Sequence, residues 1–287
     1  MVEDDEASEK MFCGVVKILE VIPVKTSLVQ VGDDIVHVIL EAIEKAGLNI
    51  EDGDVLLVAD KIVATSEGRI VNYDSVKISK KAKKLAEKYS LEPPFVELVL
   101  NEADEIYGGV PRALLTLKNN ILIANAGIDH KNAPENSACL WSVNPNETAK
   151  RIWKALSEKT SKKIGFILID SHVNPMRVGT VGFALGIAGI RPVKDCRGLP
   201  DLYGRPLVIT RMNLADDLAA SAHLVMGETS ERTPLVIIRG APVEVTDNYD
   251  PNDVVIARED CMFMNTFLKK RKRRDKKLNG TQKQNRA

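Results

Sequence analysis

Apolar positions along this chain follow two periods. Short unbroken runs, in CGVVKILEVIPV, DVLLVAD, IGFILID and TPLVIIRG, read as strands buried on both faces. Elsewhere apolar residues recur every three or four positions, as amphipathic helices require. The first such segment is DDIVHVILEAIEKAG, which Asp33 starts and Gly47 stops. ISKKAKKLAEKYS is a second, with a polar face, and Pro94 opens a third, PFVELVLNEADEIY. In NPNETAKRIWKALSEK, Asn144 stands at the N-cap, Pro145 follows, and Glu147 takes the capping-box position. LADDLAASAHLVMGE is a small-residue helix that stops at Gly227. LLTLKNN and ILIANAG pair as a hairpin around Asn119-Asn120. KIVATSEGRI leaves DVLLVAD through a loop with Gly68 and Arg69, and PLVITR forms a strand after the loop VKDCRGLPDLYGR. Strands and helices alternate, with hairpins, which predicts a mixed α/β (α+β) fold.

One stretch organises the rest, IDSHVNPMRVGTVGFALGIAGI. The apolar run IGFILID ends at Asp170, and a polar loop is expected next. Gly179, Gly182, Gly186 and Gly189 follow at spacings of three, four and three, which would put them on one face of a helix. A bare stripe of that kind lets a sheet pack closely, or a ligand approach. An acid closing a buried strand commonly faces a site.

Composition changes the picture in two ways. With 44% hydrophobic and 28% charged residues, the 287-residue chain is an ordinary globular protein, and it has no apolar run near the ~20 residues a bilayer span requires. The acidic start, MVEDDEASEK, is unlike a secretory signal, and Cys13, Cys139, Cys196 and Cys261 make no CxxC pair. A reduced, cytoplasmic protein is expected. The zero net charge hides an asymmetry. Residues 268–287 hold 10 Lys or Arg and one acid, Asp275. That leaves 30 basic and 39 acidic residues elsewhere, a net of −9. The acidic body is unlike a nucleic-acid-binding surface, and only the basic tail offers such a contact. The expected organisation is a disordered acidic segment at 1–10, one main unit at 11–267 and a disordered basic tail at 268–287.

Three acids stand out by position. Asp129 and Asp170 each follow an apolar strand, and Glu228 follows a helix stop. Carboxylates from separate elements suit hard cations such as Mg2+ or Mn2+, which can bridge nucleotide phosphates. The alternative is three ordinary capping or surface acids. Ser171 and Asn132 are candidate neutral oxygen ligands or hydrogen-bond donors. Lys25, Lys61, Arg69, Arg177, Lys194, Arg197 and Arg205 are the basic candidates for gripping phosphate or carboxylate. His37 and His223 read as structural, whereas His130 and His172 lie beside the candidate acids. Neither a P-loop nor a GxGxxG follows any strand, and no Ser-His-Asp elbow is present.

At these residues the chain resembles the coenzyme F420-0:L-glutamate ligases. The likeness runs from about Val21 to Gly240 and rests on several blocks in order: Gly127-Ile128-Asp129 with Asn132, the strand ending at Asp170, VGFALGIAGI, KDCRGLPDLYGR, and LADDLAASAHLVMGE before TPLVIIRG. The resemblance implies a two-lobed fold with mixed sheets and makes 11–267 the catalytic unit. It also implies a homodimeric, GTP-dependent amide ligase acting on coenzyme F420-0 and L-glutamate through an acyl phosphate. Two ions of Mn2+ or Mg2+ are implied, with K+ as a further candidate. By position, Asp129 and Asp170 would hold one ion, and Ser171 and Glu228 the second. Pro23, Val24, Lys25, Thr26, Lys61, Asn132, Met226, Gly227, Thr229 and Ser230 would contact GTP, and Asp170 and Arg177 would serve catalysis.

The chain departs from the family's pattern on the nucleotide and substrate side. Thr65 stands where the family has a lysine after DVLLV, with Lys61 nearby. Ser171 replaces the usual threonine, and Asn174 replaces a basic residue, although Arg177 remains. A ligase of the same kind acting on another carboxylate, and a non-catalytic protein touching nucleic acid through its tail, are the competing readings.

Overall fold

The computed structural model describes residues 18–267. Among the described residues, those up to Pro251 form one compact unit and those from Asn252 a second. The acidic residues 1–10, Cys13 and the basic tail 268–287 lie outside the described residues. Among the described residues no helix is long and apolar enough to cross a membrane.

The frame of the first unit is a five-stranded mixed sheet. It contains β1 (Glu20–Val24), β2 (Val55–Ala59), β8 (Gly165–Val173), β9 (Thr180–Ala188) and β12 (Leu235–Arg239). Their order is β1-β12-β2-β8-β9, with only β2 and β8 parallel. The apolar runs seen in the sequence are its central strands, and Leu56, Leu57, Phe166, Leu168 and Ile237 are sealed from solvent. A strand covered on both faces needs no polar alternation. On one face lie α1 (Ile35–Lys45) and α5 (Pro145–Thr160), whose Ile39, Ile152 and Leu156 pack against Phe166 and Leu168. On the other lies α6 (Leu214–Met226), against Gly182.

A second core gathers α3 (Lys80–Tyr89), α4 (Pro93–Glu102) and the antiparallel strands β4 (Glu105–Val110), β5 (Ala113–Lys118) and β6 (Ile121–Ala124), in the order β4-β5-β6. Two short pairs complete the unit. They are β3 (Ile70–Asn72) with β7 (Ser137–Cys139), and β10 (Val193–Asp195) with β11 (Arg211–Asn213). The mixed α/β class holds. So does the β5–β6 hairpin, where Asn119 and Asn120 adopt φ of 51° and 62°. Two consecutive left-handed residues match the right-handed twist of the flanking strands.

Several local expectations are corrected. VGFALGIAGI is not a helix but strand β9, and β8 continues past Asp170 to Val173 in place of a polar loop. The stretch is thus a hairpin turning through 174–179. Its glycines do allow close approach, from helices packing on a strand. A Cβ on Gly182 would lie 2.5 Å from the Ala219 carbonyl oxygen of α6, and one on Gly186 would lie 2.3 Å from the Pro145 carbonyl oxygen of α5. KIVATSEGRI begins as helix α2 (Asp60–Ser66). Pro93–Glu102 ends before the predicted EADEIY, and Glu105 onward is strand β4, paired with β5. PLVITR is mostly irregular, the paired strand being Arg211–Asn213. At helix starts, Asp34 and not Asp33 caps α1, donated to by the Val36 and His37 amides, and the Asn144 side chain makes no cap bond.

Candidate active site at the open end of strand β8

Strand β2 ends at Ala59, opposite Ile169, so β8 overhangs it from Asp170 onward. Side chains on a strand alternate between faces. Asp170 therefore shares the face of Leu168 and Phe183, while Ser171 shares the face of Gly182, towards α6.

On the first face, Asp170 Oδ2 accepts the indole N–H of Trp141 at 2.5 Å, and Oδ1 accepts its neighbour's amide, Ser171 N, at 2.7 Å. Burial pushes the Asp170 carboxyl up to about 6, against the pull of these two donors, and the charge on Asp129 adds to the rise. Asp129 follows a left-handed turn at Asn125 and Ala126 and is fixed by paired backbone bonds with Cys139. Its Oδ2 takes Lys61 Nζ at 2.6 Å, and its Oδ1 takes the Lys131 amide at 2.9 Å. Lys61 also donates to the Lys131 carbonyl at 2.9 Å, so the α2 lysine ties the Asp129 loop to the end of β2.

On the second face, Glu228 Oε1 accepts from Thr180 Oγ1 at 2.6 Å and meets His223 Nε2 at 2.8 Å. Burial works against its charge, but hydrogen bonds from Thr180, His223 and Ser171 outweigh it and bring the carboxyl down to about 2. Asn132 links the two faces round the end of the strand, donating from Nδ2 to the Thr229 carbonyl at 3.1 Å. The loop after Gly227 is organised by Glu231, which takes both the amide and the hydroxyl of Thr229. Gly227 suits that position, since its φ of +74° with ψ of -179° is a backbone conformation that side-chain-bearing residues rarely adopt.

The arrangement thus brings together Asp129, Asp170, Ser171, Glu228, Asn132, Lys61, Gly227 and Thr229. The Thr26 amide donates to the Arg232 carbonyl at 3.3 Å, which holds the Pro23–Thr26 segment beside the chain leaving that loop. Within it Val24 is 1% exposed and belongs to the core, while Lys25 is exposed. Met226 is buried at the end of α6, and Ser230 is exposed. Arg177 is exposed in the turn between β8 and β9. Other basic candidates serve elsewhere. Arg69 bonds the Trp141 carbonyl and Glu102, Arg197 pairs with Asp195, and Arg205 pairs with Asp201. His223 does more than fill a helix, since it holds Glu228. His130 stacks edge-on with Phe95 and His172 with Phe183.

Sequence reasoning missed Asp60 and Trp141. Asp60 is 2% exposed, and its carboxylate takes the amide and hydroxyl of Ser142 at 3.1 and 2.6 Å. Burial raises its carboxyl to about 7. The signal was present: Asp60 closes an apolar strand just as Asp170 does. Trp141 carried none.

A model of the F420-0:Gamma-glutamyl ligase family matches residues 23–240. The chain belongs to the F420-0:gamma-glutamyl ligase family. It is 39% identical over 216 residues to the coenzyme F420:L-glutamate ligase of Methanothermobacter thermautotrophicus, covering 75% of this chain and 86% of that protein. The namesake of Archaeoglobus fulgidus is 37% identical, covering 78% and 89%. That of Methanococcus maripaludis is 36% identical over 246 residues, covering 85% and 97%. The matched segment of the family model begins at Pro23 and ends at Gly240, so it contains every site residue named above.

The donor set suits a hard cation in one respect and limits it in another. Its members are carboxylate and hydroxyl oxygens, the chemistry Mg2+ and Mn2+ prefer. Yet among the described residues no three His, Cys, Asp or Glu side chains gather to hold an ion by themselves. Pairs of oxygen donors, completed by water and substrate phosphate, are the usual pattern for Mg2+.

Proposed function

We propose that this protein joins L-glutamate to coenzyme F420-0 by a γ-linked amide, using GTP and two divalent cations, Mn2+ or Mg2+. The observation that carries the reading is the convergence of two oxygen-donor pairs, Asp129 with Asp170 and Ser171 with Glu228, on opposite faces of one strand end. Family membership and the names of the relatives supply the substrate class.

In this reading the carboxylate of F420-0 attacks the γ-phosphorus of GTP, giving an acyl phosphate and GDP. The amine of glutamate then attacks the acyl carbon and phosphate leaves. Asp129 with Asp170, and Ser171 with Glu228, would hold the cations, whose positive charge would offset that of the nucleotide phosphates. The chain's own part is positioning. Lys61 holds Asp129 and keeps positive charge at the strand end. Asn132 clasps the Thr229 carbonyl and so fixes the loop from Gly227 to Ser230 beside Pro23–Thr26, the two segments assigned to GTP. Arg177, in the turn of the hairpin, is assigned to the incoming anionic groups. K+ is a candidate supporting ion, and a homodimer in the cytoplasm completes the reading. The free thiols of Cys139, Cys196 and Cys261 are in keeping with that compartment.

The test is mass spectrometry of the deazaflavin after incubation with protein, glutamate, GTP and Mn2+. One or more added glutamyl units are expected, none when GTP or metal is omitted. A folded protein that binds Mn2+ and GTP yet leaves the deazaflavin unchanged would place its substrate elsewhere.

A further inference from the structure

Trp141 is built into the site more firmly than packing requires. Its ring is 3% exposed and lies in a small cluster with Ile123, Phe183 and Leu185. Gly127 makes room for it, since a Cβ there would lie 2.0 Å from the indole. Its carbonyl accepts from Arg69 Nε at 2.9 Å. Arg69 and Lys118 share the Glu102 carboxylate at 2.9 and 2.7 Å, and Lys118 Nζ sits 5.1 Å over the indole ring. The next residue, Ser142, is bound twice by Asp60. The peptide group that follows the ring, and one of the ring's faces, are therefore fixed.

The frame has one output, the N–H that reaches Asp170 Oδ2 at 2.5 Å. A carboxylate offers about four lone-pair positions. The indole occupies one on Oδ2 and Ser171 N occupies one on Oδ1, leaving one on each oxygen directed elsewhere. The indole donor is neutral. It orients the carboxylate without cancelling its charge, unlike Lys61 at Asp129, and does not compete with a cation for that charge.

We propose that Trp141 is a positioning residue, whose indole N–H holds Asp170 in the orientation that binds a divalent cation. The proposal rests on the metal assignment made above for Asp170. Donors behind a metal ligand typically contribute 10–100-fold in metal affinity.

The experiment measures Mn2+ binding to the full chain by the electron paramagnetic resonance of free Mn2+, with the metal alone. Two altered chains are compared with the wild type. One is Trp141→Phe. The other carries β-(3-benzothienyl)alanine at position 141, which keeps the ring's size and replaces N–H by sulfur. Both are expected to bind Mn2+ about 10–100-fold more weakly. In the ligation assay the loss is expected in the KM for Mn2+ more than in kcat, with the unfolding midpoint in EDTA unchanged for the benzothienyl chain. If Trp141→Phe fails to fold, the benzothienyl chain decides the matter alone. Wild-type affinity in that chain would overturn the role of the N–H while leaving the ligase reading intact. A folded wild type that binds no Mn2+ would overturn the metal assignment and this inference together.

Discussion

Asp60 is the acid whose protonation should be most visible in the stability of the fold. It starts α2, is 2% exposed, and gives both carboxylate oxygens to Ser142. Burial raises its carboxyl from 3.8 to about 7, with Asp170 and Glu67 pushing the same way and the Ser142 bonds pulling back. A raised folded-state pKa means the folded chain holds this proton more tightly than the unfolded one. The stabilisation is fully present below the unfolded value, near 3.8, and is lost as pH rises to about 7. A difference of about three units at ~1.4 kcal/mol each amounts to about 4 kcal/mol, set against a typical total of ~5–15 kcal/mol. Asp60→Asn keeps an acceptor for Ser142 and cannot ionise. Its stability relative to wild type should therefore climb by about 1.4 kcal/mol per pH unit across that window and level off above it. Asp170, also raised, titrates in both proteins and largely cancels from the difference. Urea denaturation in EDTA, followed by circular dichroism between about pH 5 and pH 8, measures it. A variant whose advantage does not change with pH would refute the reasoning, because it would mean Asp60 ionises alike in the folded and unfolded chains.

Three further outcomes are expected. Asp170→Asn should lower metal-dependent ligation by about 100-fold or more while the fold is kept, since the amide still accepts from Trp141, and in EDTA above about pH 6 the variant should be the more stable chain for the reason given for Asp60; retained turnover would remove Asp170 from the metal site. Gly186→Ala must push α5 off β9, because the new Cβ meets the Pro145 carbonyl carbon and oxygen at 2.7 and 2.3 Å. It should cost about 1–3 kcal/mol, read by calorimetry as a drop of several degrees. Glu102→Gln leaves Arg69 and the 6%-exposed Lys118 around a neutral amide, so a loss of about 3 kcal/mol is expected in denaturant titration, with Mn2+ affinity falling as the frame of Trp141 loosens.

What was legible in the sequence followed from burial on one face or two. Residues 55–59, 165–169 and 235–238 are apolar without a break because helices cover both faces of the sheet, so the central strands and the acid that closes the apolar run of β8 could be read directly. VGFALGIAGI misled because glycines spaced three and four apart satisfy a helical face, and period alone does not separate a small-residue helix from a strand that helices approach closely. The register explains the ambiguity. A shift between Leu168 and Ile169 leaves Leu185 as an extra residue on β9, so Gly182 and Gly186, an even number apart, face opposite helices. Such a bulge is set by pairing with β8 and leaves no mark in the local pattern. Trp141 was silent for a similar reason, because its meaning lies in a partner 29 positions away.

The same alternation accounts for the form of the site. Asp170 and Ser171 are neighbours in sequence, yet the pleat sends one towards Trp141 and Asp129 and the other towards α6 and Glu228. This works only because β8 outruns β2 by several residues, so the strand end is open where the loops of Asn132 and Thr229 meet. A slip of one residue in the pairing of β8 would exchange the two side chains and dismantle both pairs at once. The bulge at Leu185 resists such a slip, as do the two glycines, each fitted to a different helix. Residues remote from the reacting groups thus fix the parity on which the whole site depends. Substitutions at Leu185, Gly182 or Gly186 are therefore expected to weaken Mn2+ binding, read by titration with the metal, as well as to cost stability.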